Sequence, residues 1–225
     1  MLRVFFVVFL SIAFLPEPAA AKIVEKTETK HYRIGGKTPL GLVRGMHKKG
    51  RKRGTKVALA TIRTKADFDL DFPNPRSCRN GTLNIDVAFT IRLPQPRFDD
   101  RLPGETAKKF NIFYDFLKRH EEEHKRIHLQ CLARLQSQAN RLLSRVRSCD
   151  QIAGVTEQFR AITQAETAKC RAAHNALDRR DEPRVGRSAL YKAATVEARS
   201  GGGTAPRPLL SSIFSSEAMT LNQRQ

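Results

Sequence analysis

His120, Glu121 and His124 spell His-Glu-x-x-His within a long run of helical periodicity. Residues four apart on a helix lie one above the other, so both imidazoles can point at one metal ion while Glu121 leans over the open coordination position. The chemistry needs these residue types. Two neutral ring nitrogens hold zinc, and a carboxylate takes a proton from zinc-activated water before passing it to a leaving amine. Phe113, Leu117, His120, His124, His128, Cys131 and Leu135 step by three or four, so the histidines continue an apolar stripe. Imidazoles on a core-facing stripe need a partner. The bland alternative is a satisfied histidine cluster on a charge-rich helix, because Glu122, Glu123, Lys125 and Arg126 surround the motif.

The helix that carries the motif is expected from about Glu105 to Arg147, a span with no proline or glycine. Cys149-Asp150 makes a short turn, and a second helical stretch follows from about Gln151 to Arg180, stopped by Pro183 and Gly186. Two such helices form an antiparallel hairpin in which residues equally distant from the turn face each other. Cys131 then faces Cys170, which leaves Cys78 for Cys149. By the same arithmetic His120 and His124 lie opposite Leu177 to Asp181. Cys170, His174, Asp178 and Asp181 step by four, four and three, so they share the face that looks back at the motif. A third zinc ligand is sought there, first at Asp178 and then at Asp181, Glu182 or His174. His128 lies about 6 Å further along the axis than His124, too far to share the ion comfortably. No glycine follows His124 to break the helix, which excludes the longer HExxHxxGxxH arrangement.

The amino-terminal half must supply the sheet. Thr82 to Leu93 alternates, with Leu83, Ile85, Val87, Phe89, Ile91 and Leu93 on one face. Val57 to Ile62 and Phe68 to Phe72 are shorter strand candidates separated by the polar Arg63 to Ala66, and His31 to Ile34 adds an edge. The expected fold is α+β: a small antiparallel sheet followed by a long helical hairpin.

Residues 1 to 21 read as a signal peptide: Arg3, an apolar run from Val4 to Leu15, and Ala19-Ala20-Ala21 as a cleavage site. An uncleaved anchor is the other reading. No later segment approaches membrane-spanning length, so the mature chain is expected in the periplasm or medium. Residues 22 to 183 form one domain, and residues 184 to 225, rich in Ser, Gly, Ala and Arg, read as a flexible basic tail. Four cysteines in an exported chain favour disulfides over a cysteine zinc ribbon, for which no CxxC is present. The net charge of +19 survives loss of the signal, because Arg3 and Glu17 cancel. Such a charge attracts polyanions, and the densest run, His47 to Lys56, suits a basic loop meeting anionic envelope components. No nucleic-acid-binding signature accompanies it.

Taken in order, Tyr32-x-Ile34-x-Gly36, the Ala60-Thr61 strand, Cys78 before a strand ending in Leu93-Pro94, and the His-Glu-x-x-His motif resemble a bacterial family described as predicted secreted zinc-dependent proteases. The resemblance spans about residues 30 to 182. It implies His120 and His124 as zinc ligands and Glu121 as base. Members carry Tyr-Asp-x-x-Thr-x-His-Gly on the second helix, where this chain reads Leu177-Asp178-Arg179-Arg180-Asp181-Glu182-Pro183. The aspartate is kept and the later histidine is lost, which leaves Asp178, Asp181 or Glu182 for that role.

Two functions compete. One is an exported zinc metallopeptidase that hydrolyses peptide bonds of a protein or peptide substrate with zinc-activated water. The other is a non-catalytic envelope protein whose histidines form a structural or vestigial metal site and whose basic surface binds polyanions. A metal-buffering role for the six histidines is a third.

Overall fold

The computed structural model describes residues 21–53, 56–74, 76–97 and 101–204. The chain runs β1 (Ile23–Ile34), α1 (Pro39–Lys49), β2 (Arg51–Arg53), β3 (Lys56–Ala58), β4 (Thr61–Asp71), β5 (Thr82–Pro96), α2 (Gly104–Leu143), a short 3-10 turn (Cys149–Gln151), α3 (Ile152–Arg187) and α4 (Ala189–Ser200). The class is α+β, with a small three-stranded sheet ahead of a long helical hairpin. Residues 1 to 20, which hold nearly all of the expected signal peptide, lie outside the described residues.

β5 is the central strand, in the order β1-β5-β4. Its alternation holds: Leu83, Ile85, Val87, Phe89, Ile91 and Leu93 are all buried. The sheet is not purely antiparallel, however. β4 pairs with β5 antiparallel, but β1 pairs with it parallel, from Ile23 beside Ile85 to Ile34 beside Pro96. Parallel pairing needs a long crossover, and α1 with the β2–β3 hairpin begins it.

The strands also differ in extent from their expected bounds. β1 is a 12-residue strand of which His31 to Ile34 is only the end. Arg63 to Ala66 does not interrupt the chain; one strand, β4, covers it, because pairing to β5 satisfies the backbone whatever the side chains. The basic segment 47–56 is not one loop either. It comprises the last turn of α1, then β2 and the start of β3, and Gly50 closes the helix by donating its N–H to the Met46 carbonyl at 2.7 Å.

The Tyr32-x-Ile34-x-Gly36 opening has structural roles. The Tyr32 hydroxyl donates to the Leu59 carbonyl at 2.6 Å, and the Arg92 guanidinium lies 4.6 Å from its ring centre. Ile34 is fully buried. Gly36 has φ +113°, and a Cβ there would sit 2.3 Å from the Gly41 carbonyl carbon, so only glycine lets the chain turn into α1. Thr38 then caps that helix by accepting from Gly41 N at 3.2 Å.

α2 packs along β5. Its far end is fastened by two amides: Asn140 Oδ1 accepts from Leu83 N at 2.8 Å, and Gln136 Nε2 donates to the Leu83 carbonyl at 2.9 Å and the Lys22 carbonyl at 3.1 Å. These bonds satisfy the first residues of β5 and fix how the motif helix lies on the sheet.

The expected stop at Pro183 and Gly186 is overturned, as is a tail beginning at residue 184. α3 continues through Pro183 to Arg187, and α4 follows. Proline inside a helix removes one backbone bond and costs about 3 kcal/mol in isolation. Tertiary contacts on both sides hold the turn together: Asp181 and Val185 are both buried. α4 buries Leu190, Tyr191, Ala194 and Ala198, and Glu197 Oε2 accepts from Leu40 N at 3.0 Å, capping α1 from a distance. The rest of the expected tail, residues 205–225, lies outside the described residues.

Candidate metal centre

The two long helices place four of the chain's six histidines side by side. His120 and His124 come from α2, their rings 4.5 Å apart at 89°; His174 comes from α3, stacks on His124 at 4.9 Å and meets the His128 ring at a tilt, 4.3 Å away. His120, His124 and His174 are 0–3% exposed. The hairpin is closed by disulfides Cys131–Cys170 and Cys78–Cys149, the second tying the β4–β5 loop to the α2–α3 turn.

Three donor atoms converge. His124 Nε2 lies 3.0 Å from His120 Nε2 and 3.0 Å from Asp178 Oδ1, and His120 Nε2 lies 3.3 Å from the same oxygen. Zinc binds nitrogen and carboxylate oxygen at about 2.0–2.2 Å, so donors spaced in this way fit one shared ion. His120, His124 and Asp178 thus form a buried group that could hold a metal ion.

The other proposed ligands fall around this triangle. Asp181 Oδ2 lies 3.1 Å from His120 Nδ1, and His174 Nδ1 meets His124 Nδ1 at 2.7 Å. Glu182 lies outside the group. The stripe His174, Asp178, Asp181 on α3 therefore presents three different contacts to the two motif histidines. His128 is turned toward the Phe89 ring at 6.0 Å and toward His174. Arg180 and Arg184, which have no motif to mark them, both grip Asp181: Arg180 Nε and Nη2 at 2.9 and 3.0 Å, Arg184 Nη1 at 3.3 Å. Their one sequence signal is spacing, next to Asp181 and three residues beyond it.

Electrostatics follow from burial. Desolvation lowers the pKa values of His124, His128 and His174, the last two to about 4 and about 3, keeping these rings neutral. Desolvation opposes charging of His120 as well, yet hydrogen bonds to Asp178 and Asp181 and the Glu121 charge outweigh it and raise its pKa. Glu121 is 1% exposed, and desolvation pushes it up to about 8. Its Oε2 is buried with no hydrogen-bond partner among the described residues. A carboxylate oxygen left so is expensive. A cation held by the neighbouring imidazoles would supply the missing countercharge, so the donor set fits a divalent ion.

Residues 29–186 match the family described as "bacterial protein of unknown function (DUF922)", and the chain belongs to it. No curated protein and no solved structure matches.

Proposed function

We propose that the chain is an exported zinc-dependent peptidase in which His120, His124 and Asp178 hold the ion and Glu121 is the general base. The observation that carries this reading is the triangle of donor atoms 3.0–3.3 Å apart beside Glu121, whose buried Oε2 has no hydrogen-bond partner among the described residues. Two histidines and one carboxylate are a catalytic rather than a structural complement, because a fourth position remains for water or substrate. Bound zinc supplies Lewis acidity toward a scissile carbonyl and toward water.

The chain's own groups do the rest. Burial keeps His124 neutral, the form that donates a lone pair. Asp178 brings one negative charge, so with a divalent ion held there the centre would keep net positive charge and Glu121 would be drawn back toward its ionised form, in which it can accept a proton. Glu121 then takes the proton of the attacking water on a carboxylate oxygen and holds it until the leaving amine needs it. The buried surroundings strengthen each of these interactions.

Export is part of the proposal. Two disulfides fit an oxidising compartment, the periplasm or the medium, and no described helix is long and apolar enough to cross a membrane. The substrate would be a protein or peptide, with the basic 47–56 segment meeting anionic envelope components.

The deciding experiment is metal analysis of the purified, disulfide-intact protein, paired with a casein-hydrolysis assay of parent and Glu121→Gln. About one zinc per chain, with activity that disappears in a zinc-loaded variant, is the expected result. One observation favours a second reading, a structural metal site in a non-catalytic envelope protein. The two histidine side chains of the group are 0–2% exposed and Asp178 only 14%. Zinc that raises thermal stability while the parent hydrolyses nothing would select that second reading.

A further inference from the structure

We propose that Asp181 is a positioning residue that decides which nitrogen of His120 faces the metal. The inference rests on the reading of His120, His124 and Asp178 as a metal site and goes beyond it. A neutral imidazole carries one proton, and only the other nitrogen can ligate. His120 lies between two carboxylates three residues apart on α3: Asp178 Oδ1 at 3.3 Å from Nε2, and Asp181 Oδ2 at 3.1 Å from Nδ1. An ionised carboxylate only accepts, so the two compete for the same proton. If Asp178 draws it, Nε2 becomes a donor and cannot bind metal. If Asp181 draws it, the Nε2 lone pair is left toward His124 and Asp178.

The structure tilts this competition toward Asp181. Its contact is the shorter, and its side chain is the more buried, 4% exposed against 14% for Asp178. It is also clamped. Arg180 holds both carboxylate oxygens and Arg184 adds a third contact, so the acceptor cannot rotate away from His120. The two guanidiniums also place positive charge against both of its oxygens, which favours the ionised, acceptor-only carboxylate. His124 has no such charged anchor, since its Nδ1 meets another imidazole. Asp181 therefore sets the tautomer for the one motif histidine that sits between two carboxylates.

The test uses zinc and cobalt on the full-length chain. Zinc affinity is measured by competition with a chromophoric chelator, and the coordination sphere by the visible spectrum of the Co2+ form. Asp181→Ala and Asp181→Asn should bind zinc roughly 10- to 100-fold more weakly while keeping the parental Co2+ band. Asp178→Ala should change that band. The Arg180→Gln, Arg184→Gln double variant should move affinity in the same direction by less. In the zinc-free parent, at a pH high enough for His120 to be neutral, nitrogen NMR should find its one proton on Nδ1, an arm that needs neither metal nor a folded variant. Unchanged zinc affinity in folded Asp181→Ala, a Co2+ band altered as in Asp178→Ala, or a proton on Nε2 in the parent would each overturn the proposal. A parent that takes up no zinc would instead sink the metal-site reading, and the NMR arm would still decide what Asp181 does to His120.

Discussion

Cys131 on α2 and Cys170 on α3 are joined by a disulfide four residues before His174 and seven residues after His124. The cross-link thus lies one turn from the histidine stack on one helix and two turns from the motif on the other, and it sets how far the helices can slide. Replacing both cysteines by serine should cost about 2–4 kcal/mol, because the unfolded chain regains the freedom of the closed loop. Urea unfolding measures that cost. Zinc affinity should fall as well, since Asp178 reaches His120 and His124 only in the correct register; parental affinity would mean that packing alone holds the register.

The ligand set predicts a sharp contrast among neighbours. His120→Ala, His124→Ala and Asp178→Ala should each abolish stoichiometric zinc after dialysis, whereas His128→Ala should retain it. His128 contacts the Phe89 and His174 rings, outside the triangle. Equal zinc loss in all four variants, measured by emission spectroscopy, would count against the assignment.

Three consecutive glutamates allow an internally controlled test of mechanism. Glu121→Gln should retain zinc and fold yet lose about two to four orders of magnitude of peptidase activity. Glu122→Gln and Glu123→Gln should change it little, because these residues project about 100° and 200° further round the helix and pair with Lys125 and Arg126. Each change removes one negative charge, so a similar loss in all three would point to general electrostatics rather than to a base.

Glu166 carries a pH signature away from the centre. Lys169 holds its carboxyl at 2.7 Å, Arg134 at 3.1 Å and Gln138 at 3.1 Å, and these contacts lower its pKa to about 2 against an ordinary 4.5. A carboxylate with a depressed folded-state pKa stabilises above its unfolded value, and that stability is lost as pH falls toward the folded value. Both cations are half-exposed or more, so solvent screening limits the effect to about 1–2 kcal/mol. Melting curves of parent and Glu166→Gln should therefore differ above pH 5 and converge between pH 4.5 and 2. A gap that persists at pH 2 would trace the effect to packing.

Leu190 on α4 is fully buried. If that helix belongs to the folded domain, Leu190→Ala should destabilise by about 2–5 kcal/mol in chemical denaturation. A change below 0.5 kcal/mol, ordinary for a surface site, would restore the idea of a tail beginning before it.

Much of the site could be read in advance because it is local. The stripe Phe113, Leu117, His120, His124 and the stripe Cys170, His174, Asp178, Asp181 are three- and four-residue periods, which a helix converts directly into faces. The hairpin turn converts distance from residue 150 into apposition, and the observed disulfides follow that arithmetic. Alternation in β5 likewise needs nothing beyond its own residues. The extent of α3 could not be read, because the local rule at Pro183 is outweighed by the anchoring of Asp181 and Val185. Nor could α4, whose buried residues are recognisable only with α1 beneath them.

By itself, then, the sequence determined the element that bears the motif, the direction its histidines face and the segment that lies opposite, since each follows from the pitch of a helix and the length of a turn. Tertiary structure alone decided that β1 runs parallel to β5, because pairing across 62 residues leaves no periodic trace in either strand. It also assigned separate contacts to Asp178, Asp181 and His174. These three share one helical face, and which of them meets Nε2 or Nδ1 depends on how α3 is set against α2.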